Sequence, residues 1–206
     1  MDGVLIDSEA FICKAAIEML REHGVIAEPR DFQPFVGMGE NRYIGGVAEK
    51  YNLKFDLPEA KARTYQIYET ITRGKLDPLP GAIEFVTLCR NKGLRLALVT
   101  SADRTKMEVN LKEIGLSTDD FHSTVNGLEV ERKKPFPDIY IRAAENIGLK
   151  PEECLVVEDA ISGIRAARAA GCKCLAVTNS FDKSVLREAN WICDSLLNVP
   201  DEVLNW

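Results

Sequence analysis

The stretch Leu94-Arg95-Leu96-Ala97-Leu98-Val99-Thr100-Ser101 decides the fold, because a short apolar run in it ends abruptly in two hydroxyl residues. Such a run predicts a strand buried on both faces, and the hydroxyl residues predict the turn into a following helix. Residues 154–157 and 172–177 are two further runs of the same kind. Buried strands of this type are typical of parallel sheets that helices cover on both faces.

Helical patterns separate these strands along the second part of the chain. Apolar periodicity and glycine stops predict helices over 81–92, 103–114, 137–147 and 160–170, with short strands near 121–125 and 192–193. The alternation predicts an α/β fold, a doubly wound parallel sheet with a Rossmann-like core. The β-branched runs argue against the alternative of an all-helical protein. Gly163 and the alanines after it predict a helix packed close to the sheet.

Residues 10–78 have a different pattern, with helices and no convincing strand. The spacing predicts helices over 8–24, 41–51 and 57–75, with a short helix or turn at 29–35 and a glycine hinge at 36–40. We therefore expect residues 1–9 and 79–206 to form the α/β core and residues 10–78 to form an inserted helical cap. Such an insertion is expected over the carboxyl ends of the strands, where doubly wound sheets bind ligands.

Composition excludes several classes of protein. The chain has 206 residues and a net charge of −6, which argues against a nucleic-acid-binding surface. It has no apolar run near the roughly 20 residues of a membrane span and no signal peptide. We expect a protein without nucleic-acid or membrane partners that is a monomer rather than an oligomer.

The six cysteines are scattered, without the close pairs of a zinc site or a disulfide framework. We expect reduced, mostly buried thiols and a soluble intracellular protein, cytoplasmic or organellar, with a plastid as one option if a transit peptide has been removed. Cys172 and Cys174 are expected to face opposite sides of one strand and therefore not to share a metal ion.

Polar side chains stand at the ends of the predicted strands. Thr100 and Ser101 offer a hydroxyl group and free backbone N–H groups to phosphate oxygens, or they simply cap a helix. Lys134 either neutralises a phosphoryl group or belongs to a solvated run of three basic residues. Glu158 and Asp159 repel each other directly after a buried strand, so a hard cation is their natural compensation. The alternative for Asp159 is a helix cap.

In combination these motifs resemble those of the haloacid dehalogenase-like hydrolases over essentially the whole chain. The motifs are Asp2-Gly3-Val4-Leu5 with Asp7-Ser8, the strand ending in Thr100-Ser101, Lys134-Pro135 with Pro137-Asp138, and Glu158-Asp159 before a glycine. They occur in the order that the family shows. The helical insertion resembles the small cap of the β-phosphoglucomutase and phosphoglycolate-phosphatase-like branch.

The resemblance implies a Mg²⁺-dependent phosphatase that forms an aspartyl-phosphate. Asp2 matches the general acid/base, whose backbone carbonyl also reaches Mg²⁺. Asp159, supported by Glu158, would bind Mg²⁺. The residues implied to bind the phosphoryl group are Thr100, Ser101 and Lys134. The attacking Asp would lie just before Met1, at the end of a hydrophobic strand, so a chain that starts at Met1 is expected to lack turnover and a longer natural protein is expected.

The resemblance also bears on the substrate through a cap loop that contains Gly37, Gly39 and Glu40. Mutases of this branch carry a basic residue there for a second phosphate, so the acidic Glu40 favours a hydrolase of small monophosphates such as sugar phosphates. Glu40 alternatively only stabilises the first turn of a helix. A competing hypothesis is a catalytically silent module of a larger polypeptide that binds a phosphorylated ligand or a partner protein.

Overall fold

The computed structural model describes residues 1–36 and 39–205. Helices and strands follow each other as the sequence predicts, with strands only in the second part of the described chain. The helices are α1 (Glu9–Glu22), α2 (Pro29–Phe32), α3 (Glu40–Lys50), α4 (Leu57–Thr72), α5 (Ala82–Asn91), α6 (Arg104–Glu113), α7 (Asp138–Asn146) and α8 (Ile161–Ala170). The strands are β1 (Ala97–Val99), β2 (Ser123–Val125), β3 (Leu155–Glu158), β4 (Lys173–Val177) and β5 (Trp191–Cys193).

All strand pairs are parallel. β1 pairs with β2 in the register Ala97↔Ser123, and β3, β4 and β5 form a second sheet in that order. Successive residues of β4 pack on opposite sides: Leu175 contributes to the apolar cluster of α5 and α6, and Cys174 to that of α7 and α8. Helices therefore cover both faces, which confirms the doubly wound α/β fold.

The expectation that Cys172 and Cys174 face opposite sides of their strand was wrong. Both thiols are buried and belong to the same apolar cluster beside α7 and α8. The reason is that side chains two residues apart along a strand point to the same face. All six cysteines are free in the structure, and four of them are buried.

A groove separates the two sheets. It lies between β1 and β3, has a volume of about 530 Å³, and is lined mainly by apolar residues of these strands and of α5 and α7. No described residue of β1 pairs with β3. Met1 is among the residues that line the groove, and its amino group donates a hydrogen bond to the Val99 carbonyl at 3.2 Å. The groove therefore lies along two open strand edges and is bordered by Met1.

The first four helices pack on one another and form their own apolar cluster. Its fully buried members include Met19 and Leu20 of α1, Phe32 of α2, and Ile44 and Val47 of α3. α4 lies along α1 and begins at Asp56, whose carboxylate accepts the Glu59 N–H at 2.8 Å. The helical segment is thus observed, while the domain boundaries of the cap stay a prediction. In the described part of the chain, no helix is long and apolar enough to cross a membrane.

Candidate active site

A tight turn brings the amino terminus against the end of β3. Gly3 has a φ of +71°, and a Cβ built on it would lie 1.9 Å from Asp159 Oδ2. Only glycine fits such a close approach with a left-handed backbone. The turn thereby places Asp2 and Asp159 side by side, although 157 positions separate them in the sequence.

One cavity of about 510 Å³ collects the residues singled out from the sequence. Those lining it are Asp2, Thr100, Ser101, Lys134, Glu158 and Asp159 from the α/β part, and Gly39 and Glu40 from the helical part. Gly37 lies outside the described residues. The carboxyl ends of β1 and β3 and the start of α3 thus meet around one space, as expected for a ligand site of a doubly wound sheet.

The Asp2 carboxylate is held by an unequal set of donors. Oδ1 accepts hydrogen bonds from the Ser8 hydroxyl, from Lys106 Nζ at 3.0 Å and from Asn110 Nδ2 at 3.2 Å. Oδ2 accepts one longer bond, from the Thr100 hydroxyl at 3.4 Å. Burial raises the pKa of Asp2, but the Lys106 ammonium, the amino terminus and the Ser8 hydroxyl outweigh burial and lower this pKa to about 2.

Thr100 is buried and its hydroxyl donates to Asp2, while Asp103 and not Thr100 occupies the cap position of α6. The same hydroxyl oxygen accepts the Ala102 N–H at 3.1 Å, so it holds the turn that follows β1. The neighbouring Ser101 is partly exposed and lines the cavity. A strand-to-helix turn of this kind presents backbone N–H groups and hydroxyls to an anion.

Glu158 and Lys134 form a buried ion pair. Glu158 Oε1 accepts from the Lys134 ammonium and from the Tyr140 hydroxyl at 2.6 Å, and Oε2 accepts the N–H groups of Asp159 and Ala160. Burial raises the pKa of Glu158, and Lys134 more than offsets this and lowers it to about 2. The Lys134 side chain is only 13% exposed, so it does not belong to a solvated basic run.

Asp159 lacks such compensation. Its Oδ2 accepts the Ser180 hydroxyl, whereas the nearby Lys134 ammonium bonds Glu158 instead. Burial and the neighbouring Glu158 raise its pKa to about 6. It does not cap α8, since Ala160 occupies the cap position without a side-chain bond. A buried carboxylate with a raised pKa is a favourable ligand for a cation.

The donor set fits Mg²⁺ better than a metal that needs a closed protein cage. Within residues 1–36 and 39–205 no three His, Cys, Asp or Glu side chains gather closely enough to hold an ion. Mg²⁺ typically takes one or two carboxylates and completes its shell with water and substrate phosphate. Asp159 offers a carboxylate to such an ion, whereas both Glu158 oxygens are occupied by protein donors.

Glu40 brings a carboxyl group from the helical part into the cavity. It is the first residue of α3, is 8% exposed, and its Oε2 has no hydrogen-bond partner among the described residues. Burial raises the pKa of Glu40 to about 7, with Lys106 acting in the opposite direction. A group held in this way disfavours a second anionic group of a ligand more than it disfavours a hydroxyl.

Sequence reasoning missed residues that support the site. Lys106 and Asn110 are polar residues four positions apart on α6, and both are buried beside Asp2. The sequence signal that could have identified them is their position: Lys106 directly precedes Met107 and Asn110 directly precedes Leu111, so two polar residues lie on the helix face that should otherwise be apolar. Gly163, interpreted from the sequence as a packing residue, has a more specific role: a Cβ there would lie 2.0 Å from the Glu158 carboxyl carbon.

The chain is similar in sequence and in fold to known proteins. The sequence model of a family described as haloacid dehalogenase-like hydrolase matches residues 1–177. The chain is 41% identical over 204 residues to Protein SUPPRESSOR OF QUENCHING 1, chloroplastic, of Arabidopsis thaliana, covering 97% of this chain and 19% of that protein. It is 31% identical over 201 residues to Hexitol phosphatase A of Escherichia coli, covering 95% of this chain and 88% of that protein. CbbY of Rhodobacter sphaeroides, solved with phosphate, shares the fold, with a TM-score of 0.89, 20% identity, and coverage of 100% of this chain and 96% of that one.

Proposed function

Because the chain belongs to the haloacid dehalogenase-like hydrolases, in their phosphoglucomutase and phosphatase-like branch, we propose that it is a Mg²⁺-dependent phosphatase domain for a small phosphorylated metabolite. The observation that carries the proposal is the meeting of Asp2, Thr100, Lys134 and Asp159 in one cavity. The similarity to Hexitol phosphatase A supports a sugar phosphate or a similar phosphate monoester as the substrate.

The residues have distinct roles in this proposal. Thr100, the Ser101 N–H and Lys134 bind the phosphoryl oxygens, and Asp2 exchanges protons with the leaving oxygen and with water. Asp159 and the Asp2 carbonyl would hold Mg²⁺, with Glu158 supporting Lys134 from behind. The ion would supply positive charge against the anionic phosphate. Asp2 is suited to proton exchange because its Oδ2 accepts fewer hydrogen bonds than its Oδ1 and lies near Thr100, which also lines the cavity.

The proposal includes an attacking Asp on a strand that precedes Met1. Its support is the apolar groove between β1 and β3, which Met1 lines, the residue directly before Asp2. The Asp carboxylate would attack phosphorus, and the bond from phosphorus to the ester oxygen would break. Asp2, ionised in the free protein, would take up a proton from solvent once the phosphate anion is bound beside it and would give that proton to the ester oxygen. Water would then attack the aspartyl-phosphate, Asp2 would take its proton, and inorganic phosphate would leave.

The test compares two forms of the protein with an added upstream strand, one ending in Asp and the other in Asn at the position two residues before Asp2. Aryl phosphate and a panel of sugar monophosphates are supplied with and without Mg²⁺. We expect Mg²⁺-dependent phosphate release from the Asp form alone. Equal release from both forms, or no release from any monoester, contradicts the proposal.

A second candidate is a module that binds a phosphorylated ligand or a partner protein without turnover. The observation in its favour is that the chain spans only 19% of the Arabidopsis relative, so it matches one portion of a larger polypeptide. Tight phosphate binding by the Asp form without hydrolysis would favour this candidate. The acidic Glu40 gives a further expectation for the phosphatase: monophosphates are preferred over bisphosphates, and Glu40→Arg narrows that preference.

A further inference from the structure

Asn110 stands between Asp2 and Tyr68, a residue of α4 in the helical segment. Its Nδ2 donates to Asp2 Oδ1 at 3.2 Å, and its Oδ1 accepts the Tyr68 hydroxyl. Asn110 and Tyr68 are both fully buried. An ionised carboxylate only accepts hydrogen bonds, so the amide must turn its NH₂ group to Asp2 and its oxygen to Tyr68. The direction of this chain of bonds is therefore set by chemistry, from Tyr68 through Asn110 to Asp2.

The two oxygens of Asp2 differ because of this contact. Three donors, Ser8, Lys106 and Asn110, hold Oδ1. Thr100 alone reaches Oδ2, at 3.4 Å. An oxygen held by three donors cannot easily rotate away, so the carboxylate keeps Oδ2 directed toward Thr100 and the cavity. Asn110 thus orients the group that exchanges protons without itself lining the cavity.

α4 meets α6 at two matched points. Lys61 Nζ pairs with Asp103 Oδ2 at 2.6 Å, with side chains only 17% and 11% exposed, and Tyr68 bonds Asn110. Lys61 and Tyr68 are seven residues apart, and so are Asp103 and Asn110. Seven residues correspond to about two helical turns, or roughly 10 Å along the helix axis. The two helices therefore lie side by side in the same direction, and a shift of α4 along α6 would break both contacts together.

We propose that Tyr68 and Asn110 are positioning residues that couple helix α4 to the orientation of the Asp2 carboxylate. The proposal rests on the proposed function for its catalytic consequence, because Asp2 is the proton-exchanging group there. In this arrangement the helical segment does more than cover the cavity. When α4 is seated on α6, Tyr68 holds the Asn110 amide and Asp2 is aligned; when α4 moves away, one donor–acceptor link behind Asp2 is lost.

Tyr65 provides a matched control. It lies one turn before Tyr68 on α4 and is 6% exposed, and its hydroxyl lies beside Asp103 rather than beside any group that holds Asp2. Tyr65→Phe and Tyr68→Phe remove the same atom from the same buried face. Only the second removes a link to Asp2.

The first experiment needs no turnover and uses the chain itself. Urea unfolding is measured for Tyr68→Phe and Tyr65→Phe, each alone and combined with Asp2→Asn. Tyr68→Phe changes the unfolding equilibrium constant by some factor, and we expect this factor to differ by at least about threefold between the unaltered chain and the Asp2→Asn background. The reason is that Asn110 loses the carboxylate that orients it when Asp2 is replaced by Asn. The Tyr65→Phe effect should not change. If Asp2→Asn alters the effects of Tyr68→Phe and Tyr65→Phe on unfolding by the same factor, the proposal is overturned.

The second experiment uses the polypeptide that carries the upstream Asp. Tyr68→Phe should lower kcat by about fivefold or more with KM nearly unchanged, because orientation of Asp2 affects proton transfer rather than substrate binding. Tyr65→Phe should leave kcat unchanged, and Tyr68→Phe should have no further effect on kcat in an Asn110→Leu background. Additive losses, or a change in KM alone, contradict the coupling. If the unaltered polypeptide shows no turnover, the proposed function fails, and the unfolding experiment alone decides the coupling.

Discussion

Replacing Lys106 by Met should destabilise the protein by leaving the Asp2 carboxylate without its cation. The Lys106 side chain is 6% exposed and its Nζ lies 3.0 Å from Asp2 Oδ1. Removing one partner of a buried ion pair costs about 3–5 kcal/mol. The Asp2 side chain is 34% exposed and keeps the Ser8 and Asn110 bonds, so solvent screening lowers the expected cost to about 2 kcal/mol. For a chain of this length that is a fall in Tm of about 4–8 °C.

The assay is urea unfolding at pH 7 of Lys106→Met, Asp2→Asn and the double variant. Because Asn at position 2 carries no charge, the double variant should be more stable than Lys106→Met alone. Arg104→Met is the matched control, since Arg104 lies on the same helix and pairs with Glu108 at 71% and 49% exposure. Its replacement should leave the free energy of unfolding nearly unchanged, because solvent screens an exposed ion pair. Equal losses for Lys106→Met and Arg104→Met, or no recovery in the double variant, would refute the reasoning.

The pH dependence of the same variant follows from the lowered pKa of Asp2. The folded carboxyl has a pKa of about 2, below its ordinary value of 3.8, so it contributes stability above pH 3.8 and loses it as the pH falls through about 2. The difference in free energy of unfolding between Lys106→Met and the unaltered chain should therefore be largest near neutral pH and should become smaller below pH 4. A difference that grows on acidification would contradict the ion pair as its source.

Three further predictions concern the cavity. Gly163→Ala should weaken Mg²⁺ binding by about tenfold in calorimetry by displacing Glu158, whereas Gly45→Ala, where a Cβ would meet its nearest neighbour at 3.7 Å, should leave it unchanged. Glu40→Gln should raise the free energy of unfolding by about 1–2 kcal/mol at pH 8 and change it little at pH 5. The pKa of Glu40 is raised to about 7, so the stability that the neutral, buried carboxyl group contributes is lost as the pH rises through that value. Parallel pH profiles of the two proteins in urea unfolding would rule this out. Mg²⁺ affinity should fall about tenfold between pH 7 and pH 5 as Asp159, with a pKa of about 6, takes up its proton, and an unchanged Kd would exclude Asp159 as a ligand.

The sequence alone determined the types and order of the elements, because both are local properties. Helical periodicity and glycine stops located α1 and α4–α8, and the β-branched runs located β1, β3 and β4. The polar residues at strand ends followed from the same reading, since parallel strands bring their carboxyl ends to one edge. Thr100 and Asp159 could therefore be identified from the sequence pattern, whereas Asp2 and the phosphate-binding role of Lys134 were implied by the resemblance to the family; all four residues line one cavity.

Only the tertiary structure decided which of these groups compensate one another. Glu158 was expected to support a metal ion, but its oxygens are taken by Lys134, Tyr140 and two backbone N–H groups, which leaves Asp159 as the uncompensated carboxylate. Likewise Asp2 is held by Lys106 and Asn110, more than a hundred positions away. Periodicity predicts which face of a helix is buried, but not which residue distant in the sequence contacts that face. The charge balance at the site depends on such long-range contacts and is therefore a property of the folded chain.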